Sequence, residues 1–252
     1  MTTKHLTILT GGSRGMGLAM GQQLLAKGHT VLSIARRSSS ALAAAAPSPD
    51  QLIQWEQDLG DTDAAAQRLG DWLRSLQASD WASITLINNA GVIPQIAPLS
   101  DLATPDLRNA LRVGLEAPMA LTGVFLGATE AWTVPKKVLN VSSGLGRRPM
   151  ASQAAYCTAK AGMDAYARCV ALEEAHKPHG AKIVSLAPGV IDTDMQVQLR
   201  NADAGAFPDV GNFKGLHEGG KLSRPAEAGA KVLGWLDRAD FGQHVIADVR
   251  EP

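Results

Sequence analysis

A glycine-rich segment between a short apolar run and a helical pattern limits this chain to very few folds. His5 to Thr10 is rich in β-formers, Gly11-Gly-Ser-Arg-Gly-Met-Gly17 follows at once, and a helical pattern continues to Lys27. A second apolar run, Thr30–Ala35, completes a β-α-β unit. Glycines here allow a tight turn and close approach of the backbone to a pyrophosphate, which the first N–H groups of the helix can bind. The segment therefore predicts a dinucleotide site, with an ordinary glycine turn as the alternative.

The rest of the chain continues the same alternation. Further strands are predicted at 52–55, 84–87, 137–142, 183–186 and 244–249, and helices at 63–77, 106–132, 152–177 and 225–236. Strands that alternate with helices throughout predict an α/β protein with one doubly wound parallel sheet and helices on both faces. Residues 38–49 are expected to form a surface loop, and about 190–223 a polar, flexible segment beside the substrate.

Composition and charge exclude several function classes. With 252 residues, 45% of them hydrophobic, residues 1–252 are expected to form a single domain. The 24 basic residues equal the 24 acidic ones, so no basic surface is expected for nucleic acid or membrane. Cys157 and Cys169 are expected to be reduced on one helix, and no metal-ligand spacing is present. No signal peptide or membrane-spanning apolar run is recognised, so a cytoplasmic location is expected.

The residues after the second strand predict which dinucleotide binds. A protein that binds NAD would carry Asp or Glu there for the ribose hydroxyls, whereas this chain has Ala35 followed by Arg36 and Arg37. Arg14 lies inside the glycine segment. Because arginine pairs well with phosphate, this pattern favours a 2′-phosphate and therefore NADP(H). The alternative is that Arg36 and Arg37 are solvated loop residues.

A tyrosine and a lysine four residues apart form the candidate acid/base pair. Tyr156 and Lys160 share one face of the predicted helix 152–177. A free tyrosine has a pKa near ~10, and a neighbouring ammonium is expected to lower the pKa of Tyr156. Ser143, at the end of the preceding strand, could hydrogen-bond the same substrate oxygen. The alternative is a chance pair on a surface helix.

Taken in order, these motifs resemble the short-chain dehydrogenase/reductase family over essentially the whole chain. The resemblance implies strand order 3-2-1-4-5-6-7 and a homodimer or homotetramer built on the two long helices, where Met163, Tyr166 and Val170 could meet a second subunit. It implies that Tyr156 is the acid/base, that Ser143 polarises the substrate oxygen, and that Lys160 lowers the tyrosine pKa and holds the nicotinamide ribose. The catalytic residues would be Ser143, Tyr156 and Lys160, and the cofactor residues Gly11, Ser13, Arg14, Gly15, Met16, Gly17, Arg36, Arg37, Asp58, Leu59, Asn89, Ala90, Gly91, Tyr156, Lys160, Pro188, Gly189, Ile191 and Thr193.

More specific contacts are expected for three sets of residues near the cofactor. Ile191 and Thr193 would contact the nicotinamide carboxamide. Asp58 would contact the adenine edge, although a turn aspartate is nearly as good an interpretation. Asn88 and Asn89 can tie neighbouring strand ends together.

A narrower likeness concerns the benzil reductase and sepiapterin reductase branch. It is carried by segments 116–119, 138–144, 147–149, 192–196, 220–222 and 242–246. Sepiapterin reductases place an aspartate on the last strand to anchor the pterin, and ungapped matching puts Ile246 there, with Asp248 two residues further on the same side. Leu145, Pro149, Met150 and Met195 would give the substrate site a hydrophobic mouth. The likeness therefore favours an NADPH-dependent reductase of a benzil-like or other hydrophobic carbonyl, with a pterin reductase as the alternative.

One departure from the family lies in the long fourth helix. Most members carry an asparagine there that orders a proton-relay water beside the lysine, and the matching residue here is Gly114. Asn109 is five residues earlier, about 140° away around a regular helix at ~3.6 residues per turn, so it is not expected to substitute. Either water fills the space beside Lys160, or the protein turns over slowly or only binds cofactor.

Overall fold

A parallel sheet organises the structure, a computed structural model that describes residues 3–251. Within that range the sheet has seven strands in the order β3-β2-β1-β4-β5-β6-β7, so the strand order that the resemblance implied is confirmed. The strands are β1 His5–Thr10, β2 Thr30–Ala35, β3 Leu52–Glu56, β4 Ser83–Asn88, β5 Lys136–Val141, β6 Lys182–Ala187 and β7 Ile246–Asp248. The predicted strands agree within one or two residues, except that β7 is shorter than 244–249.

The central strands are apolar on both faces because helices cover both faces of the sheet. In β1, Leu6 and Ile8 pack into one cluster and Leu9 into the other, and all three side chains are fully buried. The helices are α1 Gly15–Ala26, α2 Ser40–Ala44, α3 Thr62–Ser75, α4 Thr104–Leu111, α5 Ala117–Ala128, α6 Ala154–Ala175, α7 Asp194–Arg200, α8 Val210–Glu218 and α9 Pro225–Leu236. Helices α3, α5 and α6 pack on one face and α1 and α9 on the other.

The predicted helix 106–132 is divided into α4, a π-helical turn Arg112–Glu116, and α5. Pro118 lies in the first turn of α5 and has no N–H to donate to the carbonyl of residue 114. The wider π turn forms just before this proline, and Gly114 lies inside it. The predicted kink therefore exists, but as a change of helix type.

The same segment corrects the expectation about membrane spans. Thr104–Ala128 is 25 residues long and contains an 18-residue window with a mean hydropathy of 1.2, long and apolar enough to cross a membrane by length and composition. The expectation that the chain has no such run was wrong. A buried core helix passes the same test, and Ala117, Leu121 and Phe125 are fully buried against the sheet and α3.

Two segments predicted to be loops contain helices. Residues 190–223 form α7 and α8, which share a small apolar cluster of Leu199, Phe207, Val210 and Phe213. Residues 38–49 contain α2, whose Leu42 is fully buried. Helices as short as α2 and α7 give too few turns for a periodic pattern to stand out, so the sequence read as polar loop in both places.

Two residues predicted to meet a second subunit face the protein's own core. Met163 is fully buried, and the Tyr166 hydroxyl donates to Asn140 Oδ1 at 2.8 Å. That part of the interface prediction was wrong, because this face of α6 packs on its own sheet. Cys157 and Cys169 are both unpaired thiols on α6, as expected.

Candidate active site

One large cavity, about 1670 Å³, opens at the carboxyl ends of the strands. In doubly wound sheets ligands bind at this edge, where the strand order reverses between β1 and β4. The cavity walls include every residue predicted for catalysis or cofactor binding, from Gly11 and Arg14 through Arg36, Asp58 and Asn89 to Thr193. The fold therefore brings the whole predicted set together, while the role of each residue stays a prediction.

The glycine segment forms a cradle that larger residues would fill. A Cβ added at Gly17 would lie 2.1 Å from the carbonyl oxygen of Gly11, so only glycine allows α1 to pack this closely. Gly11 itself has a φ of +72°, which favours glycine. Arg14, the N-cap of α1, makes no side-chain cap, so the first N–H groups of the helix are left for a ligand. This geometry fits a dinucleotide phosphate.

Two asparagines join the ends of three strands, as expected from the sequence. Asn89 donates its side-chain amide to the carbonyls of Thr10 and Gly11, at 2.9 and 3.3 Å. Asn88 donates to Asn140 Oδ1 at 2.8 Å and to Thr122 Oγ1 at 3.1 Å. These bonds fix the carboxyl ends of β1, β4 and β5 relative to one another, which sets the floor of the cavity.

The arginines predicted to recognise a phosphate differ in their surroundings. Arg14 forms an exposed ion pair with Asp194 of α7, at 2.9 Å. Arg36 and Arg37 line the cavity just after β2, and neither forms a salt bridge with another residue of the described range 3–251. Both residues therefore lie where the sequence predicted a phosphate contact, and that role stays a prediction. Asp58 accepts from the N–H of Gly60 at 2.8 Å, so it supports a turn as well as lining the cavity.

Ser143, Tyr156 and Lys160 meet where β5 ends and α6 begins. Ser143 Oγ accepts from the N–H of Leu145 at 3.1 Å, and Ser143 and Tyr156 line the same cavity. Lys160 donates to the carbonyl of Val141 at 2.6 Å, and its Nζ lies 5.9 Å from the centre of the Tyr156 ring. The serine and tyrosine hydroxyls thus present adjacent hydrogen-bonding groups to one point of the cavity.

The electrostatics of this group differ from the sequence expectation. Burial raises the pKa of Tyr156, and the hydrogen bond with Ser143 opposes that shift in part. The expected lowering by Lys160 is absent because burial disfavours the phenolate more strongly in this state of the protein. Burial also lowers the pKa of Lys160 to about 8, with Asp164 opposing that shift. At neutral pH Tyr156 is therefore protonated, and Lys160 carries its charge.

An ion pair between a buried carboxylate and a partly exposed arginine holds the turn that follows Ser143. Asp164 accepts hydrogen bonds from Ser142 Oγ and Ser185 Oγ, both at 2.6 Å, and from Arg147 Nε at 3.1 Å. Arg147 also donates to the carbonyl of Ala247 at 2.8 Å. Since the buried carboxylate has several partners, breaking one of them would leave a costly unpaired charge. The network fixes the catalytic turn to α6 and β7.

The far end of the cavity carries a group of large apolar side chains among polar ones. Its wall includes Leu145, Met150, Met195, Leu199, Phe213 and Leu216. Pro149, which was predicted to lie at the mouth, is exposed and is not part of the wall. Two buried amides, Gln153 and Gln196, also line this end, and the sequence did not single them out. The signal that could have found Gln153 is its place one turn before Tyr156 on the same helix edge.

The candidate pterin anchor is covered by a neighbouring arginine. Asp248 is buried at the end of β7 and pairs with Arg250 through two bonds, at 2.8 and 2.5 Å. Arg250 lines the cavity, whereas Asp248 does not. The carboxylate is therefore turned away from the substrate space.

Gly114 lies against the catalytic helix. A Cβ added there would meet the Cβ of Ala159 at 3.1 Å, a close contact that needs a small shift. The close approach of the π turn to α6 gives Gly114 a packing role.

Within residues 3–251, no group of three or more His, Cys, Asp or Glu side chains is placed to hold a metal ion.

Comparisons with known proteins agree with this architecture. The family profile for short chain dehydrogenase matches residues 5–204. A benzil reductase ((S)-benzoin forming) of Bacillus cereus is 36% identical over 245 residues, 97% of this chain and 98% of that protein. A sepiapterin reductase of Mus musculus is 31% identical over 255 residues, 94% of each chain. The crystal structure of the KRED1-Pglu enzyme superposes with a TM-score of 0.79 at 26% identity, covering 95% of this chain and 99% of that one.

Proposed function

The chain belongs to the short-chain dehydrogenase/reductase family, in its benzil reductase and sepiapterin reductase branch, and from that premise we propose that it is an NADPH-dependent reductase of hydrophobic ketones and diketones. The observation that carries the proposal is that Ser143, Tyr156 and Lys160 lie on the wall of one cavity that continues into the glycine cradle. A protonated phenol beside a serine hydroxyl, next to a nicotinamide site, is the arrangement that carbonyl reduction needs.

The chain's own groups would handle the substrate oxygen. When bound, the nicotinamide supplies the hydride for the carbonyl carbon. Ser143 donates to the carbonyl oxygen and holds it against Tyr156, whose hydroxyl gives up its proton as negative charge develops. The charged Lys160 stabilises the phenolate that results, because it lies near the ring in a buried site. The raised pKa of Tyr156 keeps it protonated beforehand.

The choice of NADPH rests on the end of β2. Ala35 offers no carboxylate to the ribose, and Arg36 and Arg37 border the same part of the cavity. A 2′-phosphate would form charge-assisted hydrogen bonds with these guanidinium groups. Gly17 and the open start of α1 fit the pyrophosphate, so the site accommodates the whole cofactor.

The substrate end favours a diketone over a pterin. Its wall carries several large apolar side chains, and the Asp248 carboxylate that could anchor a pterin is paired with Arg250 and is not itself part of the wall. A relative that is 36% identical over nearly the whole chain, from Bacillus cereus, is a benzil reductase. Benzil has two adjacent carbonyls between two phenyl rings. We therefore place benzil-like diketones ahead of pterins.

A screen of purified protein tests the proposal. NADPH oxidation would be followed with benzil, quinones, pterins and steroid ketones at equal concentrations. Benzil or a related aromatic diketone is expected to give the highest kcat/KM. A higher kcat/KM with sepiapterin would favour the pterin alternative, and Asp248→Asn would then be expected to abolish that activity.

A cofactor-binding protein with weak turnover is the second candidate. It is favoured by Gly114, which replaces the relay asparagine of the family and is pressed against Ala159. Tight NADPH binding without oxidation by any carbonyl in the screen would support this candidate.

We also propose that the protein assembles as a homodimer or homotetramer in the cytoplasm. Leu172 of α6 and Met119 of α5 are 70% and 46% exposed, and both lie on the long helices that the family resemblance assigns to subunit contacts. Light scattering at micromolar concentration tests this, and a monomer would contradict it.

A further inference from the structure

Asp164 is a buried carboxylate that lies behind the catalytic residues. It is 2% exposed, and neither Asp164 nor its ion-pair partner Arg147 belongs to the wall of the cavity. Its Oδ1 accepts from the hydroxyls of Ser142 and Ser185, both at 2.6 Å, and its Oδ2 accepts from Arg147 Nε at 3.1 Å. Because the partner donates in each of these bonds, the arrangement favours the ionised carboxylate.

Lys160, one turn earlier on the same face of α6, is a buried ammonium without an ion pair. It is 4% exposed, and its Nζ donates to the carbonyl of Val141 at 2.6 Å and lies 4.0 Å from Met163 Sδ. Within residues 3–251 it forms no salt bridge, unlike Arg147 and Lys177 at either end of the same helix. A buried ammonium among neutral groups tends to lose its proton, so its charge needs support from a nearby anion.

Asp164 is the carboxylate whose charge acts on Lys160. Residues four apart on a helix are neighbours, with about 5–6 Å between their Cβ atoms. The charge of Asp164 raises the pKa of Lys160 against the larger effect of burial. The other charged or titratable groups on the elements packed around Lys160 are Tyr156 and Cys157 of α6, Arg147 after β5, the Asp248–Arg250 pair of β7, the exposed Arg112–Glu116 pair of the π turn, and Asp106 and Arg108 of α4.

We propose that Asp164 is a positioning residue of the reductase, which keeps Lys160 charged for the Tyr156 phenolate while it anchors the turn that carries Ser143. This inference rests on the proposed function and deepens it. The same carboxylate thus prepares both sides of the substrate oxygen: through Ser142 and Arg147 it fixes the turn, and through its charge it supports the ammonium.

The place of Asp164 behind the wall explains how it supports Lys160 without competing with the reaction. An ammonium has three N–H donors, and here one of them is used by the carbonyl of Val141. A carboxylate in direct contact would occupy another donor and would neutralise the charge that the phenolate needs. A carboxylate one helical turn away attracts the ammonium electrostatically and leaves the remaining donors for the reacting groups.

The test breaks the ion pair between Asp164 and Arg147 from each side in turn. Asp164→Asn removes the anion and leaves the Arg147 cation, so the titration midpoint of Lys160 should fall by about one pH unit, from about 8. Arg147→Gln removes the cation and leaves the anion, so the midpoint should stay in place or rise. A purely structural role predicts the same change in both variants, because both lose the same ion pair.

Two readouts follow the midpoint. NMR of protein labelled with ¹³C at the lysine ε carbon gives it directly, with the Lys160 signal identified by its absence from Lys160→Met. The pH profile of kcat/KM for benzil gives it through turnover. For Asp164→Asn, kcat/KM should be about fivefold below that of the unaltered protein at pH 8 and nearly equal to it at pH 6, the pattern of a midpoint shifted by one pH unit.

Glu174 provides the matched control on the same helix. It is a buried carboxylate paired with Lys177 at 2.7 Å, and it accepts from the N–H of Ala181 at 2.8 Å, but it lies far from Lys160 at the other end of α6. Glu174→Gln should therefore lower the Tm and leave the Lys160 midpoint unchanged. The double variant Asp164→Asn with Arg147→Gln leaves no unpaired charge, and its midpoint should also fall.

Each other outcome overturns a defined part of the account. A Lys160 midpoint that stays in place in Asp164→Asn, or that falls equally in Arg147→Gln, would refute the inference. Failure of both Asp164→Asn and the double variant to fold would show that the carboxylate is structural, and would also refute it. If the unaltered protein reduces no ketone while the NMR midpoints move as expected, the proposed function fails and the support of Lys160 by Asp164 stands.

Discussion

The two ends of the cavity use their polar groups in opposite ways. At the cofactor end the polar groups of the strand ends are paired inside the protein, as in the bonds from Asn89 to Thr10 and Gly11. At the substrate end two buried amides, Gln153 and Gln196, keep atoms without partners. The first end is built largely from backbone groups and the bonds that join the strand ends, whereas the second is built largely from side chains. The difference indicates that the cofactor site is fixed before binding, whereas substrate selectivity depends on individual side chains.

The largest expected effect separates chemistry from cofactor binding. Tyr156→Phe removes the proton donor but leaves the cradle intact, so reduction should fall by about 10²- to 10⁴-fold while NADPH binding changes little. Stopped-flow rates and NADPH fluorescence measure the two quantities. Turnover above a few per cent of the starting value would exclude Tyr156 as the donor, and a parallel loss of binding would show that the two ends are not independent.

The preference for NADPH over NADH tests the cofactor end of the cavity separately from the substrate end. Ala35→Asp combined with Arg36→Asp should shift the ratio of kcat/KM for NADPH over NADH by about 10- to 100-fold toward NADH, because the phosphate loses a charged donor and the ribose gains an acceptor. The ratio between ketone substrates should stay the same. Arg74→Gln, at a surface arginine paired with Asp71, is the matched control. Equal use of both cofactors by the unaltered protein would mean that Arg36 is merely solvated.

The pH profile tests the charge on Lys160. Its pKa is lowered to about 8, so kcat/KM for reduction should be flat at neutral pH and fall about tenfold per unit well above pH 8 as the ammonium is lost. Lys160→Met should lack this limb. The titration of Lys160 does not cause this fall by unfolding the protein. Between the folded pKa of about 8 and the ordinary pKa of 10.5, the unfolded chain keeps a proton on this residue that the folded chain has lost. Through this residue stability therefore rises with pH across that window.

The smallest effect concerns the join between the π turn and the catalytic helix. Gly114→Asn restores the family's amide but must displace the Cβ of Ala159 from 3.1 Å, so the Tm should fall slightly while turnover rises or holds. Gly114→Ala makes the same contact without the amide, and pairing either change with Ala159→Gly should restore the Tm. Equal turnover in the Asn and Ala variants would show that an amide there does not assist proton transfer.

The difference between the two ends of the cavity also explains which features could be predicted from the sequence. The cofactor end depends on residue types that backbone geometry demands, such as Gly17 against Gly11, so a local motif was enough to predict it. The strand order followed from a resemblance carried by motifs spread along the chain. Both predictions rest on features that keep a fixed spacing in the sequence.

The substrate end depends on contacts between distant segments. The cluster of Leu199 with Phe207 and Phe213 is spread over two short helices and the segment between them, so no periodic pattern disclosed it. Gln153 reads as an ordinary polar residue until the turn at Ser152 and the bond to Ala206 place it on the wall. Met163 was misread because its apolar side chain serves the protein's own core instead of a partner.

Transfer of an isotope tests the central claim most directly. NADPH carrying deuterium at C4 of the nicotinamide, prepared with the label on either face in separate samples, would be incubated with the protein and benzil, and the product analysed by mass spectrometry and NMR. We predict that one of the two samples gives benzoin with a single deuterium on the carbinol carbon, in step with the NADPH consumed. Saturable NADPH binding with no labelled benzoin from either sample would contradict the account and leave a cofactor-binding protein in its place.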